Sequence, residues 1–327
     1  MTQTALDQLK KWTTIVADSS DLNAIKTFRP LDATTNPSLI TAAAKQTENA
    51  ALIQAAYQQA KNEDYQGTAL IERTIDILTV KFGVEILKLI DGRVSTEVDA
   101  ALSYDTQATI AKAKELLALY ANYGISSDRI LIKIASTWQG IQAAKQLEAE
   151  GIHTNLTLLF GLHQAHACAN ANVTLISPFV GRILDWYKKA EGVEHYPIEK
   201  DPGVLSVQAI YQFYKQHAIK TEVMGASFRS TEQVLGLAGC DLLTVAPNLL
   251  AQLAEDTRSI SRQLNYDSTQ ASVALNNLDE QNFKTQLAQD AMASELLQAG
   301  IQGFIQARTQ LSQLLAEQYA VSLEISA

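Results

Sequence analysis

Eight short β-rich runs recur along this chain with helical patterns between them, and that alternation restricts the fold more than any other feature. The runs lie at about 13–18 (TTIVAD), 31–36 (LDATTN), 93–98 (RVSTEV), 129–135 (RILIKIA), 153–159 (HTNLTLL), 172–178 (NVTLISP), 221–227 (TEVMGAS) and 241–246 (DLLTVA). Between them lie segments such as QATIAKAKELLALYANYG and TWQGIQAAKQLEAEG, with apolar residues at helical spacing and a terminal glycine able to take the left-handed C-cap. Strand alternating with helix eight times predicts an α/β fold, a (β/α)8 barrel of parallel strands.

Two intervals exceed what a barrel connection needs. Residues 37–92 hold two helices' worth of sequence, and 179–220 include the loop KKAEGVEHYPIEKDPG, so both read as insertions. From about 248 to 319 the pattern is helical, including DEQNFKTQLAQDAMASELLQAG, which predicts extra C-terminal helices wrapping the barrel. No linker composition divides the chain, so residues 1–327 read as a single catalytic barrel domain.

A net charge of −9 argues against a surface that grips phosphate backbones, so nucleic acid is not an expected partner. Any anionic ligand needs a local basic cluster. The start, MTQTALDQLKKWTTIVADS, lacks the apolar core of a signal peptide, and no stretch approaches the roughly 18 apolar residues of a membrane span. The expectation is a cytoplasmic protein with no membrane partner. Cys168 and Cys240 form no CxxC pair and read as reduced packing thiols.

In such a barrel the chemistry gathers at the C-terminal ends of the strands. The polar residues there are Asp18, Thr34 and Asn36, Glu97, Lys133, Asn155 and Thr157, Ser177, and Ser227 with Arg229. Lys133 is the most telling. Alternation puts Ile130, Ile132 and Ile134 on one face of its strand and Leu131, Lys133 and Ala135 on the other. If the isoleucines meet the helices, the lysine points into the barrel, where burial disfavours the charged amine and leaves it able to attack a carbonyl. On an edge strand the same lysine would simply reach water.

Asp18 and Glu97 could serve as an acid and base pair, although an aspartate before SSDL also reads as a helix cap and a glutamate in STEVDA as an ion-pair member. Asn36 precedes Pro37 and could be a cap alone, and Thr34 and Thr157 are ordinary strand residues. Ser227 and Arg229 in ASFRSTEQV, with Arg182 in SPFVGRILDW, form the basic cluster that a phosphate late in the barrel requires. His163 and His166 make an HxxH without the glutamate and spacing of a zinc helix, so they read as histidines on a polar helix face. With no GxGxxG or Walker loop, nucleotide use has no support.

Taken together, DATTNPSL, VSTEVDA, ILIKIASTWQGI, GIHTNLTLLF, ISPFVGRILDW and MGASFRS resemble the transaldolase family, in the family's order and over nearly the whole chain. The resemblance implies a (β/α)8 barrel enzyme of the pentose phosphate pathway, usually a homodimer, that needs no cofactor and no metal and takes sugar phosphates as substrates. It also implies roles. Lys133 would form a Schiff base with sedoheptulose 7-phosphate or fructose 6-phosphate, and Asp18 would take the C4 hydroxyl proton. Glu97 and Thr157 would activate water. Asn36, Asn155 and Ser177 would hold the three-carbon unit, Arg182, Ser227 and Arg229 the phosphate, and Thr34 would support from behind. The rivals are a related fructose-6-phosphate aldolase, whose members are much shorter and resemble this family with glutamine at the position of Glu97, and a catalytically silent sugar-phosphate-binding barrel.

Overall fold

The computed structural model describes residues 3–266 and 273–323. Eight parallel strands close into a barrel in sequence order, with the last pairing back onto the first. They are β1 (Thr14–Asp18), β2 (Asp32–Thr34), β3 (Val94–Glu97), β4 (Ile130–Ala135), β5 (Thr154–Leu159), β6 (Leu175–Pro178), β7 (Glu222–Gly225) and β8 (Leu242–Val245). Each lies inside its predicted run and is shorter than it. The larger trims have local causes: Asn36 leaves the sheet to cap a helix, and Asn172 takes a left-handed φ of 53°, which delays the start of β6.

Helix α1 (Ala5–Leu9) precedes β1 and α2 (Leu22–Phe28) follows it. Between β2 and β3 run α3 (Pro37–Ala44), α4 (Ala50–Asn62) and α5 (Gly67–Leu87), three helices where two were expected. The break after α4 is forced by positive φ at Asp64 and Gly67. Helices α6 (Thr106–Asn122), α7 (Trp138–Ala149) and α8 (Leu162–Asn170) follow β3, β4 and β5 in turn. Gly124 and Gly151, at φ 73° and 78°, end α6 and α7 as their sequences predict. β6 leads to α9 (Gly181–Glu191) and α10 (Pro202–Gln216), β7 to α11 (Thr231–Leu235), and β8 to α12 (Pro247–Glu255). The loop expected from residue 188 therefore begins as the last turn of α9.

Two further helices, α13 (Glu280–Gln289) and α14 (Ala291–Gln318), pack on the barrel, but the stretch before them departs from the helical expectation. Residues 256–266 and 273–279 form no helix, and 267–272 lie outside the described residues. Polar side chains at Asp256, Arg258, Ser259, Ser261 and Gln263 interrupt the apolar spacing. The backbone N–H groups of Gln263 and Leu264 go instead to the carbonyl of Ala238, at 2.8 and 2.9 Å. No described helix is long and apolar enough to cross a membrane.

The barrel interior is stratified. At its base Arg93 bridges Asp32 (3.0 Å) on β2 and Glu222 (2.8 Å) on β7. Above that, Val16, Leu131, Leu175, Met224 and Leu242 form an apolar floor. Ile130, Ile132 and Ile134 pack outward in the main core, so the alternation predicted for β4 holds and Lys133 faces inward, one step above the floor. Both cysteines are buried free thiols, and burial pushes that of Cys240 up to about 12.

Candidate active site

Lys133 is 5% exposed, and the parallel register sets Glu97 on one side of it and Asn155 on the other. Its Nζ donates to the carbonyl of Thr35 (3.2 Å) and lies 3.1 Å from Glu97 Oε2, an ion-pair contact without hydrogen-bond alignment. Burial raises the pKa of Glu97 above the ordinary carboxylate range, with the positive charges of Lys133 and Arg182 pulling the other way. Asp18 is raised by the same cause and opposed by Lys133, by a hydrogen bond from Thr34 and by Arg182. A buried amine thus faces two carboxyl groups that hold protons more readily than exposed ones.

Thr34 belongs to a short relay. Its Oγ1 is 3.2 Å from Asp18 Oδ1 and 2.8 Å from Thr244 Oγ1, so Thr244 on β8 can donate to Thr34, which donates to Asp18. The relay fixes one carboxylate oxygen of Asp18.

A cavity of about 410 Å³ opens above these groups. Eight of the nominated residues line it: Asp18, Thr34, Asn36, Lys133, Thr157, Ser177, Arg182 and Ser227. Three do not. Asn155 lies in the layer beneath, donating to Ser95 Oγ (3.0 Å) and accepting from Ser177 Oγ (2.5 Å), so it holds Ser177 in place. Glu97 faces a second, smaller cavity of about 370 Å³ shared with Asn36, Asp99 and Arg308, and meets the first through Lys133. Arg229 stands at the rim, its Nε and Nη2 on Asp185 Oδ2 at 3.0 and 2.8 Å. Asn36 satisfies both of its readings: Oδ1 caps α3 through Leu39 N (3.0 Å), and the residue lines both cavities.

Arg182 has no ion pair or hydrogen bond among the described residues. Its guanidinium sits 4.9 Å from the ring of Phe179 and 5.8 Å from that of Phe304. Burial, then the nearby charge of Arg229, lowers its pKa, while Glu97, Asp18 and Asp185 act against that. The guanidinium is thus a buried cation without a carboxylate partner among the described residues, with a second cation beside it. The two arginines come together because Gly181 lets α9 approach the β7 turn, where a Cβ would stand 2.5 Å from the carbonyl of Ser227.

Residues 15–315 match the family model described as Transaldolase/Fructose-6-phosphate aldolase. The chain belongs to this family. Proteins named transaldolase are similar to it over almost all of its length: that of Nostoc sp. is 53% identical over 325 residues, covering 98% of each chain. The protein of Synechocystis sp. is 53% identical over 324 residues, covering 98% of this chain and 83% of its own. That of Methylococcus capsulatus is 52% identical over 326 residues, covering 98% of each.

Within this transaldolase-family barrel, several site residues escape sequence reasoning. Thr244 had a usable signal, since alternation along β8 makes it the inward polar residue above Leu242. Phe304 had none: the periodicity of α14 marks it as buried but cannot say that it reaches the barrel mouth, where its ring centre lies 6.0 Å from Lys133 Nζ. Phe179, Met224 and Ala226 complete the apolar lining. The HxxH corrects one expectation. His166 bonds the carbonyl of Asn276 (2.7 Å), but His163 is 7% exposed and edge-on to Phe283, because α13 covers that face of α8. Among the described residues no group of three His, Cys, Asp or Glu is placed to hold a metal ion.

Proposed function

We propose that this chain is a transaldolase that moves a dihydroxyacetone unit from a ketose phosphate, sedoheptulose 7-phosphate or fructose 6-phosphate, to an aldose phosphate, glyceraldehyde 3-phosphate or erythrose 4-phosphate. The carrying observation is an inward lysine between the buried carboxyl group of Glu97 and the half-buried one of Asp18, below an arginine with no ion pair among the described residues. Lys133 attacks the ketone carbon, and the hydroxyl leaves as water with protons passed by Glu97 and by a water held at Thr157. Asp18 then takes the C4 hydroxyl proton. The C3–C4 bonding electrons move into the protonated imine, the aldose phosphate departs, and the enamine remains on Lys133. Attack on the acceptor aldehyde reverses these steps, and water releases the new ketose.

Arg182, with Ser227 and Arg229 behind it, takes the phosphate of donor and acceptor. Asn36 and Ser177, the latter set by Asn155, hold the hydroxyls of the waiting three-carbon unit. Roles for all these residues are supported by geometry and by the family motifs that carry them. The family description covers an aldolase as well, yet near-full-length likeness to proteins named transaldolase, together with a glutamate at position 97, favours transfer over release of free dihydroxyacetone. A silent binding barrel has no use for the lysine and its two acids.

The same reading takes residues 1–327 as one catalytic domain of a cytoplasmic homodimer in the non-oxidative pentose phosphate pathway. Strands drawn from residues 14–245 into one barrel support the first part, and the family resemblance supports the rest. Incubation with fructose 6-phosphate followed by borohydride tests the chemistry. A three-carbon adduct on the Lys133 peptide is expected, and an unmodified peptide from active enzyme sinks the mechanism.

A further inference from the structure

The pairing of β5 with β6 contains a register shift. Leu156 pairs with Ile176 and Leu159 with Pro178, so three steps on β5 span two on β6, and Leu158 between them has a φ of 52°. A leucine held left-handed is strained and persists only where its surroundings impose it. The bulge has a clear effect on the site. Regular alternation would send Leu159 into the barrel mouth beside Thr157. Instead Leu159 packs in the outer core, Leu158 turns onto α14 against Gly300, and Thr157 alone faces the cavity.

One side chain braces this bulge. Gln164, on the first turn of α8, is wholly buried and touches no lining of the cavity. Its Oε1 accepts from Phe160 N (2.8 Å) and Gly161 N (3.0 Å), and its Nε2 donates to Leu158 O (3.1 Å) and Ser136 O (3.0 Å). Both lone pairs and both hydrogens are engaged. Ser136 in turn clamps Thr157, donating N–H and Oγ–H to its carbonyl, each at 2.8 Å. The hydroxyl of Thr157 is buried without a hydrogen-bond partner, so nothing on its own side chain orients it. Its direction is set through its backbone.

We propose that Gln164 is a positioning residue for Thr157: by tying the β5 bulge to the end of β4 it aims the Thr157 hydroxyl at the place where water meets the Lys133 imine. This rests on the reading of Thr157 as a group that activates water. Displacing a reacting group by an ångström costs on the order of 10²-fold in rate. Gln164→Met keeps the length and apolar volume of the side chain and removes all four bonds.

The test is a cycle of Gln164→Met, Thr157→Val and the double variant, reading the rate at which borohydride-trappable Lys133 adduct forms from fructose 6-phosphate. Gln164→Met is expected to slow adduct formation by about 10- to 100-fold with little change in KM, because the phosphate grip is untouched. In the Thr157→Val background the same change should add less than about two-fold, as coupled sites do. Equal losses in both backgrounds, or a lower melting temperature with adduct formation intact, overturn the positioning role. Thr157→Val at the wild-type rate overturns the reading of Thr157 and the positioning with it. A slow Thr157→Val beside a normal Gln164→Met overturns the positioning alone. Should Gln164→Met not fold, Ser136→Ala removes one clamp on Thr157, and a slowing of adduct formation that vanishes in Thr157→Val is expected; a slowing that persists there refutes the idea.

Discussion

Arg308 lies on α14 one helical turn beyond Phe304, and replacing it by methionine gives a stability loss whose size follows from its surroundings. Its guanidinium meets Glu72 Oε2 at 2.6 Å and Asp76 Oδ1 at 3.1 Å on α5, and Asp99 Oδ2 at 3.0 Å after β3, with 15% of the side chain exposed. Burial works to lower its pKa, and Asp76, Asp99 and Glu72 together overcome that and raise it. Arg308→Met leaves three carboxylates behind. Glu72, 41% exposed, turns to water; Asp76, 5% exposed, keeps Lys112 at 2.6 Å; Asp99, 20% exposed, keeps the N–H of Ala101 at 2.9 Å and no cation among the described residues.

With the deepest charge still paired, the cost falls at the lower end of the range for a broken buried pair, about 3 kcal/mol. An unfolding entropy of about 2.1 cal/mol/K per residue gives about 0.7 kcal/mol/K for this chain, and hence a melting temperature lower by about 4 °C. Calorimetry of Arg308→Met beside Arg258→Met reads this directly. Arg258 is 50% exposed and pairs with Glu232 and Asp256, so its loss should cost no more than about 1 kcal/mol. Equal shifts for the two variants, or a wild-type melting temperature that 0.5 M salt lowers as far as the substitution does, would refute the reasoning.

Three further outcomes are expected. Glu97→Gln should slow build-up of trapped adduct by about 10²–10⁴-fold, whereas Asp18→Asn should trap intact donor and stall before the aldose phosphate leaves; the same species accumulating at the same rate in both would void the division of labour. Arg229→Ala should raise KM for phosphorylated substrates far more than for unphosphorylated analogues, and Asp185→Asn, by freeing the arginine, should lower it by up to about five-fold, the worth of an exposed pair; unchanged KM in both would make Arg229 structural. Asp18→Asn should also be more stable to urea than wild type at pH 8. Burial raises the Asp18 carboxyl above 3.8, so the folded chain binds its proton more readily than the unfolded chain, and stability falls as pH rises through that window. The gain should shrink to nothing as pH is lowered below 3.8, and a gain independent of pH would contradict the cause given.

What could be read from sequence divides along the range of the interactions. The strands were legible because β-branched runs and glycine caps act locally, and Lys133 was legible because alternation along six residues of β4 tells inside from outside. Thr244 was open to the same rule. The third helix before β3 was missed because two left-handed residues, Asp64 and Gly67, decide it, and the non-helical stretch after Glu255 because its backbone bonds go to a distant carbonyl, that of Ala238. Phe304 and Arg308 depend on where a helix lands after the barrel has closed, which no window of sequence contains. That Asn155 lies in the layer beneath the cavity, bonded to Ser177, was not legible, since register rather than residue type decides which layer a strand residue occupies.

The position of α14 bears on the order in which a ribosome delivers this protein. All groups assigned to bond making and breaking have been synthesised once Arg229 has, and the last strand ends at Val245, but the wall that covers Lys133 and flanks Arg182 comes from residue 304. A nascent or clipped chain that stops short of α14 would carry its lysine and both acids in a vessel open on one side. It would bind a ketose with nothing to keep bulk water from the enamine. On the proposed mechanism, completion of the final helix would set how well such a chain hands its three carbons to another sugar rather than spilling them.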